Sequence, residues 1–287
     1  MIWLLIGLGI YFALCLILTW LSVKPPRTPI LCSPGAFGAP QETIEIESTG
    51  NIRLSGWWVP AEGAKSVAIF CHGYFLSKGE LAPVAYALWQ KGVSGLLIDF
   101  RGHGKSKGGS CTFGYRERED VLVAVAWVRA KMPDAKIVLI GSSMGSVASA
   151  FAFAEQPEQI QALVLDSAYN RLSDAVLGWW RFVGGWPLAI LLSPTVFFGI
   201  PFLRLNPFRL KVSDALAKLH HKHILVMHGD GDLVASPKQV LLNLKSLGPE
   251  AQAVWFEGCG HSEGRWEQPD RYYSQLLQFL RKDGFLP

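Results

Sequence analysis

The feature that most restricts the folds open to this chain is a repeated one: short apolar runs, each followed by a helical stretch. The runs cover residues 67–71, 94–99, 136–140, 162–165, 223–227 and 253–256. Their apolar residues are consecutive rather than alternating, as expected of strands covered on both faces. Helical patterns over 81–91, 115–131, 144–155, 237–247 and 270–282 separate or follow them. Such alternation builds a mostly parallel, doubly wound α/β sheet with helices on both sides. Ahead of it, residues 43–48 (TIEIES) alternate, and 52–59 follow Gly50-Asn51, which predicts an antiparallel β-hairpin. The 287 residues suit a single large α/β domain, expected over 43–287.

The N-terminus is of a different kind. Ile2 to Val23 is an unbroken apolar run without a charge, and as a helix it would reach about 33 Å, enough for a hydrocarbon core of roughly 30 Å. Trp3 and Trp20 sit near its ends, where amphipathic rings favour the interface. A signal peptide would carry a basic start, a shorter apolar stretch and small residues at a cleavage site; none is present before Lys24, so residues 1–23 read as an uncleaved transmembrane anchor. Lys24 and Arg27 follow the span, which by the positive-inside rule points the following domain towards the cytoplasm. Residues 24–42, rich in Pro and Gly, read as a linker that lifts the domain off the bilayer.

Gly141-Ser142-Ser143-Met144-Gly145 follows the third long apolar run directly and opens a helical pattern. A G-x-S-x-G sequence at a strand-to-helix turn forces the central serine into a strained conformation and exposes its hydroxyl. Of the two serines, only Ser143 has a glycine at both −2 and +2, so Ser143 is the candidate nucleophile and Ser142 its rival. A serine hydroxyl attacks a carbonyl only when an imidazole takes its proton, and that imidazole needs a carboxylate to fix its tautomer. Two later loops supply these groups, both just past predicted strand ends: His228-Gly229-Asp230-Gly231-Asp232 and Gly258-Cys259-Gly260-His261-Ser262. Asp232 is the candidate acid, with Asp230 expected to support the turn, and His261 the candidate base.

With these motifs in order, the chain resembles the α/β-hydrolase superfamily, in particular its membrane-anchored monoacylglycerol-lipase-like and serine-aminopeptidase-like branch. The resemblance runs over roughly 43–280, leaving out most of the long insertion described below. It also rests on Phe70-Cys71-His72-Gly73-Tyr74 and on Asp99-Phe100-Arg101-Gly102-His103-Gly104-Lys105-Ser106. It implies an oxyanion hole made by the backbone N–H groups of Tyr74 and Met144, with the Tyr74 side chain free to line the pocket. It implies a structural turn for Arg101–Ser106, which lacks the spacing of a phosphate-binding loop. His72 reads as a turn-stabilising residue rather than a base. Glu117 and Asp120 share a helix face and read as salt-bridged surface or supporting carboxylates.

Some 57 residues separate the runs ending at 165 and starting at 223, far more than a usual connection. The middle of this stretch, 177–205, is apolar and aromatic, and an insertion at about 168–221 is expected to cap the site. Trp179, Trp180, Trp186, Phe197 and Phe198 are its candidate pocket and cap residues. A second membrane span is disfavoured, because the candidate triad lies on either side of it in sequence and must share one aqueous side.

The expected function is hydrolysis of an apolar acyl ester taken from or near a lipid bilayer, with a small-molecule acyl ester and the bilayer as partners. A thioesterase or an amidase/peptidase would use the same three residues on another leaving group, and a catalytically silent membrane-binding module would leave Ser143 unreactive. Comparing ester, thioester and aminoacyl substrates separates the first two. Nucleic acid is excluded as a partner, because the net charge of +4 arises from scattered residues without a basic tract. No metal or organic cofactor is called for: the five cysteines make no CxxC pair, and His220-His221-Lys222-His223 has no carboxylate or cysteine partner in sequence. The odd cysteine count without a framework favours a reducing compartment.

Overall fold

The computed structural model describes residues 1–219, 222–248 and 251–286. The chain opens with helix α1 (Ile2–Val23), then the hairpin β1 (Glu42–Ser48) and β2 (Ile52–Val59). Gly50 and Asn51, with φ of 72° and 59°, turn the chain between them. There follow β3 (Ser66–Cys71), α2 (Ala82–Trp89), β4 (Ser94–Ile98), α3 (Glu117–Lys131), β5 (Lys136–Ser142), α4 (Met144–Glu155) and β6 (Ala162–Asp166). The insertion holds α5 (Leu172–Leu191), α6 (Pro194–Leu203) and α7 (Val212–Leu216). The chain then closes with β7 (His223–Gly229), α8 (Pro237–Leu247), β8 (Gln252–Phe256), α9 (Gly264–Glu267) and α10 (Pro269–Lys282).

Among the described residues the strands form one eight-stranded sheet in the order β1-β2-β4-β3-β5-β6-β7-β8. β1 and β2 are antiparallel at one edge, and everything from β4 to β8 is parallel. This is the α/β-hydrolase fold that the sequence leads one to expect, hairpin included. Its strands are apolar at consecutive positions because both faces are covered. Ile137 and Leu139 of β5 enter one core with α3, α4 and α8. Val138 and Ile140 enter the other with α2 and α10. Burying an aliphatic side chain of this size stabilises by about 1.5–3 kcal/mol, and the alternation spends every position of the strand that way.

Residues 24–41 differ from expectation: they do not hold the domain away from α1. Arg27 donates from Nη1 to the carbonyl oxygens of Gly104 and Ser106, both at 2.6 Å, and Thr28 Oγ1 donates to Phe75 O at 2.7 Å. Pro34 and Ala39 are buried against the body. A Pro- and Gly-rich composition is compatible with a linker and with a fixed strap alike; the strap forms here because carbonyls of the Asp99–Ser106 turn need donors that the arginine supplies.

Within the insertion, α5 is broken at Gly184 and Gly185 (φ 70°, ψ −172° at the latter), and α5 and α6 meet at 94°. Trp180 Nε1 donates to Thr195 Oγ1 across that corner at 3.0 Å. By length and composition α1 can cross a membrane.

Candidate active site

Ser143, Asp232 and His261 stand just past the carboxyl ends of β5, β7 and β8 respectively, on one edge of the sheet. Ser143 is held at φ 50°, ψ −113°, outside the regions an L-residue ordinarily occupies, which costs about 1–3 kcal/mol. Its flanking glycines are required by close approach. A Cβ on Gly145 would lie 1.9 Å from the Cys71 carbonyl oxygen, and one on Gly141 would lie 2.4 Å from the Ser146 amide nitrogen. The turn brings β5, α4 and β3 so close that only hydrogen fits.

The three side chains form one hydrogen-bonded series. His261 Nε2 lies 2.7 Å from Ser143 Oγ, and His261 Nδ1 lies 2.7 Å from Asp232 Oδ2. Asp232 is fully buried, and its other oxygen accepts the amides of Val234 and Ala235, both at 2.8 Å. The carboxylate is therefore fixed in direction by its own loop before the histidine meets it. Asp230 does what its turn position suggested, accepting from the Gly258 amide at 2.7 Å and so clipping the acid loop to the histidine loop.

Ser142 is drawn elsewhere. Its hydroxyl donates to Glu80 Oε1 at 2.7 Å and accepts from Arg265 Nη1 at 3.1 Å. Around it lies a buried ionic cluster that no sequence motif marks. Arg265 pairs with Glu80 and with Asp166, the latter at 3.2 Å. Glu80 Oε2 also accepts the Gly73 amide at 2.6 Å, and the Tyr272 hydroxyl donates to Asp166 Oδ2 at 3.2 Å. Burial alone would raise the Glu80 carboxyl, but Arg265, the Gly73 amide and the Ser142 hydroxyl hold it below the usual carboxylate range. Burial raises Asp166, and Arg265 offsets this only in part while the charge on Glu80 adds to it. The only signal that could have found any of this group is Asp166's place at the end of β6, a strand end like the other three.

The residues expected at the oxyanion hole both border the Ser143 cavity. Met144 is the first residue of α4, where an amide has no acceptor inside its own helix. The Tyr74 side chain is not free as expected: its hydroxyl donates to Ser22 O of α1 at 2.7 Å. His72 is buried and bridges two turns, with Nδ1 donating to Gly73 O at 2.7 Å and Nε2 accepting from Phe100 N at 3.0 Å. Burial pulls it below the ordinary histidine range, so it stays neutral in that role. Glu117 and Asp120 are not surface carboxylates; both are buried. Asp120 pairs with Arg101 at 2.7 Å, and Glu117 accepts the Thr112 and Gly114 amides at 2.8 Å, because the loop before α3 has donors that no strand or helix satisfies.

Above Ser143 and His261 opens a cavity of about 1000 Å3, at the upper end for small-ligand sites and lined mainly by apolar side chains. Of the five aromatic residues expected at the pocket and cap, Trp179 and Trp180 line it. Trp186 and Phe197 face outward, 62% and 61% exposed, and Phe198 packs edge-on against Phe12 of α1 with ring centres 6.1 Å apart. Trp186 follows the break at Gly184-Gly185 in α5, whereas Phe197 and Phe198 sit on α6, which lines the cavity with Val196, Gly199 and Leu203 instead. His220 and His221 lie outside the described residues.

Known proteins share this architecture. A family model described as the alpha/beta hydrolase fold matches residues 68–191. The esterase Pf2001 of Pyrococcus furiosus superposes with a TM-score of 0.77 at 26% identity, over 91% of this chain and 98% of that one. Protein bem46 of Schizosaccharomyces pombe is 21% identical over 88% of this chain and 80% of its own length. Monoglyceride lipase of Mus musculus is 29% identical, but only over 42% of this chain and 41% of the lipase.

Proposed function

We propose that this chain, which carries the α/β-hydrolase fold, is a membrane-anchored serine hydrolase cleaving carboxylic esters of apolar acyl groups. The observation that carries the reading is the Ser143–His261–Asp232 series, with both contacts at 2.7 Å, opening into an apolar cavity. In the proposed reaction His261 Nε2 takes the Ser143 proton as Oγ attacks the ester carbonyl, while Asp232 holds the Nδ1–H and stabilises the imidazolium. The tetrahedral oxyanion accepts hydrogen bonds from the Tyr74 and Met144 amides; losing one such donor costs about 3 kcal/mol of barrier. Collapse expels the alcohol, which takes the proton from His261, and leaves an acyl-Ser143. Water, deprotonated by the same imidazole, then releases the carboxylic acid and restores the serine.

The likeness to esterase Pf2001 and the apolar lining favour an ester with an aliphatic acyl part. The apolar run of α1 supports attachment to a bilayer. The test is a steady-state panel of acyl esters, thioesters and aminoacyl amides on the full chain in detergent or bilayers. Esters should give the highest kcat/KM, and Ser143→Ala should abolish it. An amide preference, or ester turnover that survives Ser143→Ala, would overturn the proposal.

A further inference from the structure

The anchor is not a stalk separate from the site. From Tyr11 onwards α1 lies along the cap and the body. Tyr11 Oη donates to Leu191 O at 2.5 Å, and buried Thr19, whose hydroxyl donates to Cys15 O at 2.8 Å, lies with Oγ1 3.4 Å from Thr195 O. Tyr74 and the Cys111 amide hold the carbonyls of Ser22 and Val23, at 2.7 and 2.9 Å. Leu18 and Ser22 thereby line the cavity, together with Trp179, Trp180, Val196 and Gly199 of α5 and α6.

This docking sets the depth at which the cavity lies. Only residues 2–10 of α1 project beyond its docked half, about 14 Å of helix at 1.5 Å per residue, less than half of a hydrocarbon core of roughly 30 Å. If α1 crosses the membrane, the stretch from Tyr11 to Val23 must also lie in hydrocarbon, and the cap fastened to it lies there as well. The cap's outer surface suits that place: Phe182, Trp186, Ile190 and Phe197 are 56%, 62%, 70% and 61% exposed, and α1 is itself exposed along most of its apolar length. In water such a patch would be a liability.

We infer that the cavity is loaded from within the near leaflet and that α1 is part of the acyl-binding site, which makes a long-chain ester of a membrane lipid the substrate. The inference rests on the serine-hydrolase reading above and names the substrate class of the same site. The acyl chain runs from Ser143 between Leu18 and Ser22 on one side and the α5–α6 corner on the other, without leaving an apolar environment.

An alkyl fluorophosphonate of palmitoyl length with a terminal diazirine tests this on the full chain in bilayer nanodiscs. Ser143 Oγ displaces fluoride, the chain takes up the acyl site, and photolysis inserts the resulting carbene into its wall. Peptide mapping should find cross-links within 11–23 of α1 and within 172–203. Phosphonylated Ser143 with cross-links confined to other segments would overturn the inference and leave the hydrolase reading standing, whereas absence of phosphonylation would remove that reading itself. As a second variant, Leu18→Trp fills the α1 side of the cavity. The ratio of kcat/KM for palmitoyl to butyryl esters should then fall by at least about tenfold, the discrimination a filled apolar pocket provides. An unchanged ratio would contradict the placement of the chain.

Discussion

At the scale of single residues, the site depends on positions that admit nothing larger or nothing of different charge. Gly145 is the extreme case: a methyl there would overlap the Cys71 carbonyl, so Gly145→Ala should lose more than about 4 kcal/mol or fail to fold, as read by thermal melting. Asp232→Asn is the opposite case. An asparagine can still accept the Val234 and Ala235 amides, so the fold should persist, but it cannot hold the Nδ1–H tautomer at His261. Turnover should fall about 10^4-fold with melting temperature nearly unchanged. A fall of less than about tenfold, measured by steady-state kinetics, would remove Asp232 from its proposed role. These residues were legible in sequence because each sits in a short local pattern: two glycines around a serine, or an acid and a histidine just past a strand. Ser142 and Ser143 could be told apart by the glycine spacing alone, and the geometry adds that the Ser142 hydroxyl is held by Glu80.

At the scale of elements, the Ser143 turn, the Gly73–Tyr74 loop and the His261 loop are tied together by Glu80, Arg265 and Asp166. Glu80 holds the Gly73 amide next to Tyr74, while Arg265 comes from the helix just after His261. Glu80→Ala would leave a buried guanidinium facing Asp166 alone and should cost about 3–5 kcal/mol of stability. The double variant Glu80→Leu/Arg265→Met should regain much of that stability, since apolar pairs replace buried ion pairs well, yet remain slow because Gly73 is no longer held. Recovery of full kcat/KM together with stability would show the cluster to be structural only. None of this was readable beforehand. Glu80 and Arg265 are 185 positions apart, and neither stands in a pattern with period or motif. Strands and main helices were readable because their apolar spacing is local. The docking of α1 was not, since an apolar helix face looks the same whether lipid or protein covers it.

At the scale of the whole molecule, acid should loosen the fold through its buried histidines. Burial lowers His72 and His228 below their ordinary range and takes His103 down to about 3. In the unfolded chain all three take up protons below about pH 6.5, while in the fold burial opposes their protonation, so stability is complete above that pH and is lost as pH falls. His103 alone gives a slope of about 1.4 kcal/mol per pH unit below the unfolded value, to which His72 and His228 add, opposed further down by Glu117 and Asp166, whose raised carboxyls take up protons first in the fold. Melting temperature should therefore drop between pH 6.5 and 5, and His103→Gln should make that drop shallower; a flat profile would contradict the lowered state of these side chains. The claim on which the account turns is chemical, that one serine in the molecule is made nucleophilic by its neighbours. Peptide mass mapping after a short fluorophosphonate tests it directly. A single adduct on Ser143 is expected, retained in Ser142→Ala, lost in Ser143→Ala and strongly slowed in His261→Ala; an adduct that persists in Ser143→Ala, or a wild-type chain that takes up none, would contradict the role given to this serine.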